Sequence, residues 1–170
     1  MGFLVIHTDP HHTDFSHEQT ELDAIGARLR PLNVTTEAEV AAACRDADAL
    51  LVTYAKIGKT ALAGMPKLKI IVRTGVGYDS LDVPAATARK VMVANVPDYC
   101  ISDLAEHTMA LLLAWWRRIV DLERQVRTEG WGRPVKPVYR LEGKTLGIFG
   151  MGRMGQALAV RARGFGLNLL

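Results

Sequence analysis

From Phe3 to Pro97 short apolar runs alternate with longer stretches of helical spacing, and this alternation, more than any other feature, limits what the chain can fold into. It is the pattern of a parallel sheet whose strands are joined by crossover helices. Strands are expected near 3–7, 32–35, 49–52, 69–73 and 91–94, with helices near 16–29, 37–45, 59–63 and 84–90. Pro84 suits a first helical turn, where its missing N–H costs nothing. The reading is an α/β unit of five strands ending near Pro97.

The texture then changes. From Ser102 to Glu129 there is neither Pro nor Gly, and apolar residues fall at Leu104, Leu111, Leu112, Trp115, Ile119, Leu122 and Val126. That spacing predicts one amphipathic helix about 40 Å long at about 1.5 Å per residue. Ser102 is placed to cap its start, Asp103 to favour the positive end of its dipole and Gly130 to end it. A polar stretch over 131–143 follows, then a predicted strand at 144–149, a glycine turn at 150–155, a helix at 153–165 and the opening of another strand at 168–170. Residues 1–98 are therefore read as one domain and 99–170 as the beginning of a second. A domain that stops inside its second strand leaves apolar surface and a strand edge uncovered, so the chain is expected to be truncated.

Composition narrows the class of partner. With 49% hydrophobic and 23% charged residues the chain can bury a core. The net charge of +3 is spread among acids and forms no basic run to track a phosphate backbone, which argues against nucleic acid as a direct ligand. Cys44 and Cys100 lack metal or redox spacing and read as reduced, buried thiols of a cytoplasmic protein. No segment approaches the roughly 20 apolar residues of a membrane span. The apolar start at 1–8 has no basic flank and breaks at Asp9-Pro10, unlike a secretory signal, and Ile6 occupies the place where a myristoylation signal on Gly2 needs Ser or Thr.

Two glycine-rich turns carry the chemistry. Gly150-Met-Gly152-Arg-Met-Gly155 lies directly after an apolar strand and directly before a helix, the context in which G-x-G-x-x-G binds a dinucleotide. The first glycine makes the turn, the second admits a pyrophosphate to the backbone and the third lets helix and strand pack closely. Two phosphates then rest on the unpaired N–H groups at the helix N-terminus. The acid that would bind the ribose about 20 residues further on falls beyond residue 170, which leaves NAD and NADP both open. In Arg73-Thr-Gly75-Val76-Gly77-Tyr-Asp79, glycines flank Val76 at a strand end. Spacing alone leaves two readings there, an ordinary strand-to-helix turn and a small anion site suited to a carboxylate.

In combination, Thr74-Gly-Val-Gly-Tyr-Asp79, Val93-Ala-Asn95-Val-Pro97, Ala105-Glu-His-Thr108-Met-Ala-Leu-Leu and the segment from Gly143 to Gly155 resemble the D-isomer-specific 2-hydroxyacid dehydrogenases, in matching order from about Leu50 onward. The resemblance implies a flavodoxin-like substrate domain followed by the start of a Rossmann domain. It implies an NAD(P)-dependent oxidoreductase passing a hydride between nicotinamide and a small D-2-hydroxy or 2-oxo acid. The backbone N–H groups of Val76 and Gly77 would hold the substrate carboxylate, with Val76 also near the nicotinamide, and Asn95 would hydrogen-bond the substrate. Thr108 would face the cofactor, and Gly150, Gly152, Arg153, Met154 and Gly155 would meet the pyrophosphate. The family's catalytic Arg, Glu and His have no counterpart within these residues, so no catalytic residue is assigned here and the chain alone is expected to be inactive.

Trp115 and Trp116 are read as core and interface anchors, since aromatic area is what interfaces bury, and the resemblance implies a homodimer. Phosphoglycerate-specific members tend to carry an Arg after the third strand, where this chain has Thr53-Tyr-Ala-Lys56, so glyoxylate, hydroxypyruvate or a related unphosphorylated acid is the expected substrate. The alternative within the same fold is a dinucleotide-sensing corepressor without turnover. His107, on the long helix, is read as a buried or interface residue and not as the acid–base. The His7, His11, His12 and His17 cluster is read as a solvated loop without metal, for want of ligand spacing or companion cysteines.

Overall fold

The structure, a computed structural model, describes residues 2–134 and 136–170. They form two compact units, Met1–Asp98 and Tyr99–Leu170.

In the first unit, β1 (Leu4–His7), β2 (Arg28–Pro31), β3 (Ala49–Val52), β4 (Ile70–Arg73) and β5 (Met92–Ala94) make a wholly parallel sheet in the order β2-β1-β3-β4-β5. This is the flavodoxin-like order, in which the connections switch sides between β1 and β3. Alternation along each strand feeds two cores. Leu4, Ile6, Leu50, Val52 and Ile71 join Val40 of α2 (Glu37–Ala43), Leu62 of α3 (Lys59–Gly64) and Ala86 of α4 (Val83–Ala88). The intervening residues Val5, Ala49, Leu51 and Ile70 pack with Leu22 of α1 (Ser16–Asp23) on the other side. Helices on both faces are what make such strands apolar nearly throughout.

Local chemistry fixes the helix starts. Thr36 and Glu39 form a reciprocal capping box on α2, and the Asp82 carboxylate accepts the Ala85 N–H at 2.9 Å on α4, with Pro84 in its first turn. The second strand differs from expectation: it spans Arg28–Pro31 and not 32–35. Helix α1 stops at Asp23, and Gly26, at φ +66°, turns the chain into β2 several residues early.

The second unit holds α5 (Ile101–Trp116), α6 (Ile119–Glu129), β6 (Thr145–Leu146), α7 (Arg153–Gly164) and β7 (Asn168–Leu169). The expected single helix over 102–129 is thus two. The break falls at Arg118, a non-glycine residue at φ +55°. No helix breaker marks it. Instead the Trp116 indole donates to the Tyr139 carbonyl at 2.9 Å, Arg117 adds a second donor at 3.3 Å, and Arg118 pairs with Asp121 at 2.6 Å. The first helix begins at Ile101 after Cys100, so Ser102 lies inside it and is not its cap. Met109, Leu112, Leu113 and Trp116 of α5 pack on Leu158 and Ala162 of α7, while Trp115 is 74% exposed. Strands β6 and β7 pair in parallel through α7, a β-α-β unit, and the Ile148 N–H extends the ladder by donating to Leu170 at 2.8 Å. Both cysteines are free; Cys44 is buried as expected, whereas Cys100 is only half-buried. No helix among the described residues is long and apolar enough to cross a membrane.

Candidate functional site

At the start of α7 each glycine of the turn has its own physical reason. Gly150 sits at φ +102°, a conformation that side chains resist. A Cβ on Gly155 would run into the Gly150 carbonyl oxygen, so only glycine lets helix and turn meet so closely. Gly152 is the helix N-cap, and a Cβ there would touch nothing. Its bareness serves no packing purpose; it leaves the first N–H groups of a 12-residue helix open to an approaching anion. Arg153 is exposed and Met154 half-buried at this end. The residues fit a pyrophosphate. Thr108, on α5, donates its hydroxyl to the Leu104 carbonyl at 2.7 Å, so that only its oxygen lone pairs are left to face a ligand. His107 is exposed, which removes the buried half of the reading for this residue and leaves the interface half untouched.

In the first unit the carboxyl ends of β1, β3, β4 and β5 carry the second group of predicted residues, where parallel sheets bind ligands. Asn95 donates its side-chain amide to the Val76 carbonyl at 2.8 Å, and the Val96 N–H donates to the Gly75 carbonyl at 3.0 Å. The turn 75–77 is thereby clamped to the end of β5, with Val76 half-buried and Gly77 exposed. Neither Gly75 nor Gly77 has a positive φ. The Arg73 guanidinium folds across Gly75, over the Tyr54 ring at 5.3 Å, so a Cβ at Gly75 would meet only the movable end of that side chain. Asn95 also lines an open pocket of about 170 Å³ with Tyr78, Val83, Val93 and Ala94. Val76, Gly77 and Asn95 are thus brought together, with a cationic side chain alongside.

Sequence reasoning missed Asp9. It is 4% exposed, and its carboxylate accepts the N–H groups of Thr53 at 2.9 Å, Tyr54 at 2.5 Å and Ala55 at 3.0 Å, and the Thr8 hydroxyl at 2.6 Å. The loop after β3 is an anion-binding nest filled by the protein's own carboxylate. The only signal in the sequence was an acid closing an apolar strand, at Thr8-Asp9-Pro10.

Of the four histidines read as a solvated loop, His11, His12 and His17 are exposed, and His7 departs from the reading. His7 is 2% exposed, at the end of β1. Burial, and next the neighbouring His12, hold its pKa below the ordinary 6.5. His12 meets Glu18 at 2.7 Å, and one potential ligand atom from each of His7, His12 and Glu18 lies within 4.8 Å of the others.

A family model described as D-isomer specific 2-hydroxyacid dehydrogenase, catalytic domain, matches residues 5–164. The chain belongs to this family. Among its relatives, the D-3-phosphoglycerate dehydrogenase of Mycobacterium leprae (strain TN) is 41% identical over 155 residues, 89% of this chain and 29% of the relative. The glyoxylate reductase of Thermococcus litoralis is 44% identical over 134 residues, 74% of this chain and 40% of the relative. A crystal structure of D-lactate dehydrogenase from Aquifex aeolicus, complexed with NAD and lactic acid, matches with a TM-score of 0.83 at 26% identity, over 97% of this chain and 50% of that one. The chain spans 29% and 40% of the length of these two curated relatives. Both glycine turns fall within the stretch that the dehydrogenase family model matches, which confirms the resemblance read from the motifs.

Proposed function

We propose that the protein carrying this chain is an NAD(P)-dependent oxidoreductase that passes a hydride between a nicotinamide and a small D-2-hydroxy acid or its 2-oxo acid. The observation that carries the reading is the turn from Gly150 to Gly155, where Gly155 is forced by packing and Gly152 is not. A glycine without a structural reason, at the N-cap of a helix, is the mark of a backbone kept clear for phosphate. The Aquifex aeolicus relative, complexed with NAD, supports a dinucleotide there. The bound nicotinamide supplies hydride chemistry that no side chain can.

This chain's own residues bind and orient. The N–H groups of Val76 and Gly77 are the donors for the substrate carboxylate, and Asn95 holds them in place through the Val76 carbonyl. Arg73 adds positive charge at the same strand ends. An unphosphorylated substrate such as glyoxylate or hydroxypyruvate fits best, because the amides of Thr53, Tyr54 and Ala55 that would otherwise hold a phosphate are already committed to Asp9. The free thiols suit a cytoplasmic enzyme, and the exposed Trp115 a homodimer interface.

The test is oxidation of NADH and NADPH by the whole protein with glyoxylate, hydroxypyruvate and phosphohydroxypyruvate. The reading expects turnover with the first two acids and a much lower kcat/KM for the phosphorylated one. Cofactor binding without turnover on any 2-oxo acid points to the corepressor alternative.

A further inference from the structure

We propose that His7, His12 and Glu18 form a site for one divalent first-row transition ion of the zinc class, at the end of β1. The Thr74 hydroxyl donates to the Val52 carbonyl at 3.2 Å, an acceptor that can only accept. Its single hydrogen is spent there, so the contact between Thr53 and Thr74 at 3.2 Å is satisfied by Thr53 donating. The assignment that satisfies all three contacts has the Thr53 oxygen accepting from His7 Nε2 at 3.2 Å, the Nε2–H tautomer. Its other nitrogen, Nδ1, carries a lone pair, is buried and has no partner among the described residues.

A buried bare lone pair is expensive unless something fills it. Close by are a second imidazole and a carboxylate: one ligand atom from each of His7, His12 and Glu18, a ring nitrogen in the case of His7, lies within 4.8 Å of the others. Two nitrogens and one oxygen suit zinc and its neighbours, and not calcium or magnesium, which want oxygen. With metal–ligand bonds of about 2.1 Å in a tetrahedron the donor atoms stand about 3.4 Å apart, so the group has only to tighten around the ion. The parts are suited to that movement. His7 is fixed within the sheet and oriented by Thr53, as ligating histidines are by a partner on their second nitrogen. His12 lies outside any regular element and its side chain is 44% exposed, while Glu18 is in the first turn of α1. An ion there ties the loop from Thr8 to Phe15 down onto the strand.

The experiment is titration of the chain, stripped with chelator, with Co²⁺ followed by visible absorption and with Zn²⁺ followed by calorimetry. Wild type is expected to bind one ion per chain, with the ligand-field bands of a low-coordinate cobalt centre, and to melt at higher temperature with Zn²⁺ present. His12→Ala and Glu18→Gln each remove one ligand from a solvent-reachable position and are expected to weaken binding by at least about tenfold. His17→Ala, which removes a neighbouring exposed imidazole, is expected to bind as wild type does, and circular dichroism shows that each variant remains folded. Absence of saturable binding in wild type overturns the site, as does binding that survives in both ligand variants or falls equally in His17→Ala.

Discussion

Asn95 and Val76 are joined by a 2.8 Å hydrogen bond in which the side-chain amide donates to the backbone carbonyl. It aims the Val76–Gly77 peptide without occupying its N–H, so the residue just after β5 sets the direction in which the preceding turn presents its donors. Asn95→Ala leaves the turn in place, held by Val96 on Gly75, but free to rock. Loss of one such bond, about 1 kcal/mol, predicts a roughly fivefold rise in KM for the 2-oxo acid in the whole protein, with a small change in Tm. A fall in kcat at unchanged KM would argue that Asn95 acts on the reaction and not on the turn.

Gly152 and Gly155 separate binding from folding. Gly155→Ala drives a methyl into the Gly150 carbonyl and is expected to cost about 1–3 kcal/mol, read as a lower denaturation midpoint. Gly152→Ala meets nothing and is expected to melt as wild type does, while NADH binding by the whole protein, followed by fluorescence titration, weakens by roughly tenfold or more. Unchanged NADH affinity in Gly152→Ala would remove the main support for the dinucleotide reading.

Four of the five strands and both turns were legible because they rest on local causes: alternation of apolar residues, Pro84 in a first turn, and glycines between a strand and a helix. What escaped depends on partners far along the chain. The break at Arg118 follows from donors on Trp116 and Arg117 meeting Tyr139, more than 20 residues away and invisible to periodicity. The burial of His7 follows from its place on β1, between β2 and β3, and the role of Asp9 from amides that lie 44 to 46 positions later. The early start of β2 has a local cause in the sequence, since Gly26 is a signal for ending a helix although the apolar periodicity runs on past it.

Asp9 is expected to be among the most sensitive positions in the first unit. Asp9→Ala strands the amides of Thr53, Tyr54 and Ala55 together, and with orphaned buried donors costing about 1–3 kcal/mol each, partly relieved by water, a loss of about 3–5 kcal/mol is expected in urea unfolding. Asp9→Asn keeps one acceptor oxygen and should fall between. If Asp9→Asn proves as costly as Asp9→Ala, the charge and not the number of acceptors holds the loop.

Cys44 offers a check on the first core that needs no ligand. Burial, the largest influence, pushes its thiol from the ordinary 9.0 up to about 11; Arg30 opposes this and Asp46 adds to it. The thiolate is the reactive form, so at pH 8 only about one part in a thousand of Cys44 is competent, and that fraction is sealed in the core. Because the folded pKa lies above the unfolded one, the stability linked to this group is fully present below about pH 9 and is lost as pH rises toward about 11. Thiol titration of the native chain at pH 8 is therefore expected to show a single readily modified residue, Cys100, with Cys44 reacting only as denaturant opens the sheet. Rapid modification of both thiols in the folded chain would mean that the core around Val40, Ala47 and Leu50 is looser than the packing of these residues implies.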